Sequence, residues 1–116
     1  MLLKTFKNVR SKVRIKLIES IKQKYDINDS GISSIISALN NFRDYVIVLF
    51  DRNKIMGAIS YYLSKKKYIE VDHIGVITRR CGYGSILMRE VFKVACLKNR
   101  YPVSLVTNGY SNEFYE

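Results

Sequence analysis

"YIEVDHIGVITRRCGYGSILMREVFKVACLKN", residues 68–99, decides how the rest of the 116-residue chain is read. It opens with an extended apolar segment, "YIEVDHIGVI", and ends in a helical pattern with Leu87, Val91, Val94 and Ala95 on one face. Between them lies a short loop holding Arg79, Arg80, Gly82 and Gly84. Strand, glycine loop and amphipathic helix are the first parts of a βαβ unit. "PVSLVTN", residues 102–108, supplies its closing strand, which returns parallel to the first through a right-handed crossover.

Working upstream, "DYVIVLFD" (44–51) and "KIMGAISYYL" (54–63) are β-rich and meet at the polar turn "DRNK". "SKKK" turns the chain again into "YIEVDHIGVI", so three strands form an antiparallel meander. "DINDSGISSIISALNN" (26–41) is helical, capped by Asp29 or Ser30, with Ile32, Ile35, Ile36 and Leu39 as its buried stripe. Residues 2–25 admit two readings. Leu2, Phe6, Val9, Val13, Leu17, Ile21 and Tyr25 recur at helical spacing, yet Val13, Ile15 and Leu17 alternate with Arg14 and Lys16 as in a strand. The preferred reading is a helical start, a short strand over 13–17 and a helix through Lys24. "GYSNEFYE" (109–116) reads as a helix start cut short. The fold class expected is α/β: a mixed sheet whose antiparallel meander leads into a βαβ crossover.

Length and composition fit one domain, residues 1–116, with 47% hydrophobic residues to build its core. The longest apolar run, Tyr45 to Phe50, is too short to span a bilayer, and the first residues lack a secretory pattern. A soluble cytoplasmic protein with no membrane span is expected. One His and two Cys without ligand spacing argue against zinc, so no metal is expected. The formal charge of +10 is concentrated in residues 1–25, where eight Lys/Arg stand against Glu19 alone. That block suits a phosphate-rich partner such as nucleic acid, or else a solvated helix face.

The loop "RRCGYGS" (79–85) has two readings of its own. Free N–H groups and the dipole at the start of the following helix favour an anion, and its first turn, Ser85 to Met88, lacks Asp or Glu. Arg79 and Arg80 add charged donors, while Gly82 and Gly84 let a ligand approach bare backbone. A plain tight turn is the alternative. The spacing does not match a P-loop or a dinucleotide fingerprint. Cys81 between arginine and glycine has no evident base partner. His73 reads as a packed strand residue and Cys96 as helix core.

Arg79-Arg80-Cys81-Gly82-Tyr83-Gly84 resembles the Arg/Gln-x-x-Gly-x-Gly/Ala loop of the GNAT superfamily of acetyl-CoA-dependent N-acetyltransferases. Asn108, Phe114 and Tyr115 follow at the spacing of a second feature of that family, and "DRNKIMGAISYYL" resembles its hairpin. The resemblance covers residues 44–116 well and the first 43 loosely. The loop from Val76 to Gly82 is about two residues shorter than in the family. The family also continues into two further strands beyond the position of Glu116, so those are expected to be absent here. An exposed edge on the last strand would favour a homodimer.

The resemblance implies acetyl transfer from acetyl-CoA to a primary amine, on a small molecule or a protein, by direct attack. It implies that backbone at Ile74, Gly75 and Val76 pairs with the pantetheine arm, with the Val76 amide polarising the acetyl carbonyl. Residues Arg79, Arg80, Cys81, Gly82, Tyr83, Gly84 and Ser85 would hold the pyrophosphate, and Asn108 the arm or a water. Glu70 is the first choice of base and Asp72 the second; Tyr115 matches the family's general acid. The alternative function is a CoA-binding or nucleic-acid-binding module that keeps the fold without turnover.

Overall fold

The computed structural model describes residues 3–65, 68–97 and 103–105. Their order is β1 (Leu3–Phe6), α1 (Ser11–Lys24), α2 (Ser30–Leu39), β2 (Tyr45–Asp51), β3 (Lys54–Leu63), β4 (Ile69–Val76), α3 (Tyr83–Leu97) and β5 (Val103–Leu105). The strands lie in the order β1-β2-β3-β4-β5 within one sheet. The first four are antiparallel neighbours, and β5 runs parallel to β4 with Ile69 opposite Val103 and Val71 opposite Leu105. The meander and crossover expected from the sequence are therefore present. Arg52 and Asn53 both take positive φ, the conformation of a tight hairpin turn, at the expected "DRNK".

Side-chain alternation along β2 builds a core on each face. Val46 and Val48 meet Ile32, Ile35 and Leu39 of α2 and Ile18 and Ile21 of α1. Ile47 and Leu49 meet Leu87, Val91 and Ala95 of α3. Helices thus cover both faces of the sheet. Among the described residues, no helix is long and apolar enough to cross a membrane.

The N-terminal expectation is corrected. The start is a strand, β1, and residues 13–17 lie inside α1. Arg14, Ile18 and Ile21 face inward, while Val13 and Ile15 are exposed. Arg14 reverses the apparent alternation because it is 6% exposed despite its charge. Its Nε donates to Val9 O at 2.7 Å, and its terminal nitrogens donate to Asn41 O at 3.0 Å and Asp44 O at 2.9 Å. Three backbone carbonyls thereby satisfy the donors that burial removed from water. Lys7 is also engaged, 3.2 Å from Glu90 of α3. Burial alone would raise the Glu90 carboxyl, but Lys7 and Lys93 outweigh it and hold it below its ordinary range. Cys96, expected in the helix core, is exposed.

Candidate functional site

Beyond the C-terminal end of β4 the chain opens a cleft of about 310 Å³. Ile74, Gly75 and Val76 floor it, and Thr78, Arg79, Arg80 and Gly82 form one wall. Tyr83, Gly84 and Ser85 bring the start of α3, and Ser30, Gly31 and Ser34 bring the first half of α2. Two helix N-termini therefore converge on one cleft, neither with an acidic residue in its first turn. Asp29 caps α2 by accepting from Ile32 N–H at 3.1 Å. In α3 the first described helical bond is Ile86 N–H to Gly82 O at 3.1 Å, so the Tyr83, Gly84 and Ser85 amides come before the intrahelical ladder begins.

The loop turns at two left-handed residues, Gly82 with φ +78 and Arg80 with φ +64. Glycine at 82 meets a conformational need, whereas Gly84 is helical and buried, so its contribution is the side chain it lacks. Tyr83 stands near Asp51 of the β2–β3 hairpin. Burial and that carboxylate push its phenol above the ordinary value.

Close packing sets the other wall. A Cβ on Gly75 would lie 2.5 Å from Ile35 N and 2.7 Å from Ser34, and one on Gly31 would collide with Val76 O. The absent side chains allow α2 to rest directly on β4. Strand chemistry then turns a backbone donor away from β3. Ile77 N–H donates to Met56 O of β3 at 2.8 Å, so alternation turns the Val76 N–H toward the other edge of β4. Described pairing with β5 ends at Val71.

Among the residues expected to hold the cofactor, all but two line this cleft. Cys81 is exposed and outside its lining, and Asn108 lies outside the described residues, as does Tyr115. Ser30, Gly31, Ser34 and Thr78 line it without having been expected. Neither Glu70 nor Asp72 is in the lining. Among the described residues, no group of three His, Cys, Asp or Glu could hold a metal ion.

The register of β4 shifts at Asp72: Val71 opposes Tyr61 while His73 opposes Ser60, which leaves Asp72 as the extra residue of a bulge. The side-chain parity changes there. Ile69 and Val71 face the α3 core before it, and Ile74 and Val76 do so after it. Glu70 and Asp72 both fall on the α2 side, and the bulge places His73 on that side too. His73 is consequently not packed away: its side chain is 44% exposed, with Nε2 3.8 Å from Asp72 Oδ1.

Asp72 Oδ2 also accepts from Asn41 Nδ2 at 2.6 Å, and the same amide donates to Asp44 Oδ2 at 2.9 Å. Burial, then the hydrogen bond and charge of Asp72, push the Asp44 carboxyl up to about 7, against a smaller lowering by Arg14. The stability consequence has a definite sign. Between pH 4 and 7 the folded chain keeps a proton that the unfolded chain has released, so stability falls as pH rises and levels above 7. Asp44→Asn removes that loss, and urea unfolding should show the variant gaining on wild type from pH 4.5 to 7.5. Parallel pH dependence in the two proteins would contradict the Asp44 assignment.

No family model matches the sequence, and no curated protein matches it. Solved structures do. A ribosomal-protein-alanine N-acetyltransferase from Brucella melitensis biovar Abortus 2308 superposes with a TM-score of 0.68 at 11% identity, over 99% of this chain and 86% of that one. An aminoglycoside acetyltransferase from an uncultured soil metagenomic sample, solved with trehalose, gives 0.62 at 22% identity, over 97% and 84%. A predicted acetyltransferase from Clostridium acetobutylicum, solved with acetyl-CoA, gives 0.56 at 17% identity, over 98% and 86%. Shared topology at such low identity speaks for architecture, and the architecture of this chain is the GNAT-like acetyltransferase fold.

Proposed function

We propose that the protein transfers the acetyl group of acetyl-CoA to a primary amine. The observation that carries this reading is the cleft at the end of β4, where two helix N-termini, Arg79 and Arg80 surround exposed backbone. Pyrophosphate fits that surrounding electrostatically. A Cβ at Gly82 would meet nothing within 4 Å, so there is room beside the loop backbone. Acetyl-CoA supplies the thioester; the chain's residues orient it, polarise its carbonyl and move the protons. The Val76 N–H is the proposed oxyanion donor, because it points to the edge of β4 that carries no described partner. Asp72 and Glu70 are the proposed bases, acting through water, with Asp72 two residues nearer the cleft floor. Tyr115 and Asn108 keep the roles that the resemblance implies. The soil acetyltransferase was also solved with sisomicin, which makes small aminated sugars a sensible part of the acceptor panel.

The test is to incubate protein, acetyl-CoA and a panel of primary amines and follow free thiol. Thiol release that requires both amine and protein supports transfer. Stabilisation by CoA without release on any amine would support a binding module instead. CoA in about hundredfold excess over Kd should stabilise the fold by about 2.7 kcal/mol, raising Tm by about 10 °C. The rise should shrink in high salt, because Arg79 and Arg80 are exposed and their charges are screened. An unchanged Tm at low salt would remove the pyrophosphate reading.

A further inference from the structure

Asp44 and Asn41 lie outside the cleft, and the proposed reaction assigns them no task. Their arrangement is nevertheless specific. Asn41 has one side-chain amide with two N–H groups, and Asp44 Oδ2 and Asp72 Oδ2 each accept from its nitrogen. Both carboxyls thereby converge on one nitrogen, 2.9 and 2.6 Å from it. Two carboxyls held that close repel when both are ionised, which favours one proton between them. Asp44 is 8% exposed, so a second negative charge there would be poorly solvated. The charged groups acting on it are Arg14 from α1 and Asp72 from β4, and His73 stands 3.8 Å from Asp72. Arg14 spends its described hydrogen bonds on backbone carbonyls and offsets the charge only through space. The Asp72 side chain is 28% exposed and therefore gives the pair its opening to solvent.

We propose that Asp44 and Asp72 act as one proton-sharing pair, bridged by Asn41, and that the pair receives the proton the acceptor amine sheds on attack. The inference rests on the acetyl-transfer reading and assigns its base. As the C–N bond forms, an amine N–H bond breaks and its proton passes through water to Asp72. The C–S bond breaks, and the departing thiolate is protonated by the general acid. Asp72 is the member that meets the water; Asp44 and Asn41 are positioning residues that act through it. Burial and the nearby Asp72 carboxylate push Asp44 up to about 7, so loss of its proton falls in the pH range where a base is most effective. Asp72 lies three positions before Gly75 of the cleft floor, about 10 Å of extended chain. That span is of the size an amine and a bridging water occupy.

Two measurements test this. The first needs no substrate: protein labelled with ¹³C at the aspartate carboxyl is titrated as wild type, Asp44→Asn and Asp72→Asn. Two-step titration of both carboxyls in wild type, collapsing to one step for the survivor in each variant, is expected. Independent single-step titrations in wild type would overturn the pair. The second is the pH profile of kcat/KM on an amine that turns over. The limb near pH 7 should move acidward by about one pH unit or more in Asp44→Asn, while Asp72→Asn should lose about 10²-fold or more at every pH. The amine's own titration is common to all variants and cancels in the ratios. An unmoved limb in an active Asp44→Asn protein would overturn the pair's role in proton transfer while leaving acetyl transfer intact. A wild type that turns over no amine would instead sink the acetyl-transfer reading, and the role of base with it.

Discussion

Gly75→Ala should lower stability by about 1–3 kcal/mol, and Gly75→Val should leave little folded protein. The added Cβ would sit 2.5 Å from Ile35 N and 2.7 Å from the Ser34 carbonyl carbon, and these are helix backbone atoms. No rotamer change relieves such a contact; α2 must lift from β4. Lifting it separates Ile32, Ile35 and Leu39 from Val46 and Val48, so apolar burial is lost together with the fit. It also removes the cleft wall made by Ser30, Gly31 and Ser34. The stabilisation by CoA should therefore shrink in parallel with Tm. Gly82→Ala is the control. Its Cβ has open space, and its cost is the positive φ of +78, about 1 kcal/mol, with α2 undisturbed. A Gly75→Ala protein melting with wild type would refute the packing argument.

The helix–strand contact also explains what the sequence could and could not disclose. Residues 30–39, 45–63 and 69–97 declare themselves because their apolar periods match the elements they form and each buried stripe is built from aliphatic residues. α1 does not. Arg14 occupies an inward helical position, so an apolar count places Val13 and Ile15 on the wrong side. Its burial is made tolerable by carbonyls of residues 9, 41 and 44, which no local pattern reports. The cleft was legible in one half for the same reason. Its loop and helix start are contiguous in sequence, whereas the α2 wall depends on Gly31 and Gly75 finding each other across the fold. The Asn41–Asp72 contact spans 31 positions, and the bulge at Asp72 exists only against β3. Sequence named Asp72 as a carboxylate on a strand; its partners came from tertiary pairing.

Gly84→Asp should weaken CoA binding by about 10³-fold while the chain stays folded. Position 84 lies in the first turn of α3 and lines the cleft, so a charge there stands at the proposed anion site. An acidic residue at a helix N-terminus is favourable to the helix itself, by about 0.3–1 kcal/mol, which works against any packing cost at this buried position. For the ligand the sign reverses. A carboxylate about 5 Å from a phosphate costs about 3 kcal/mol at the effective dielectric of a protein surface, and it also competes for the Tyr83 and Ser85 amides. Gly84→Asn separates charge from volume, because Asn has the same shape without the charge. Asn should lose about tenfold through crowding alone, and the further loss in Asp should shrink as salt rises. Calorimetric titration with CoA at low and high salt, beside circular-dichroism melts of all three proteins, gives the comparison. Equal affinities for the Asp and Asn variants at low salt would mean that no anionic group approaches the start of α3, and the cleft would then have to bind something other than a pyrophosphate.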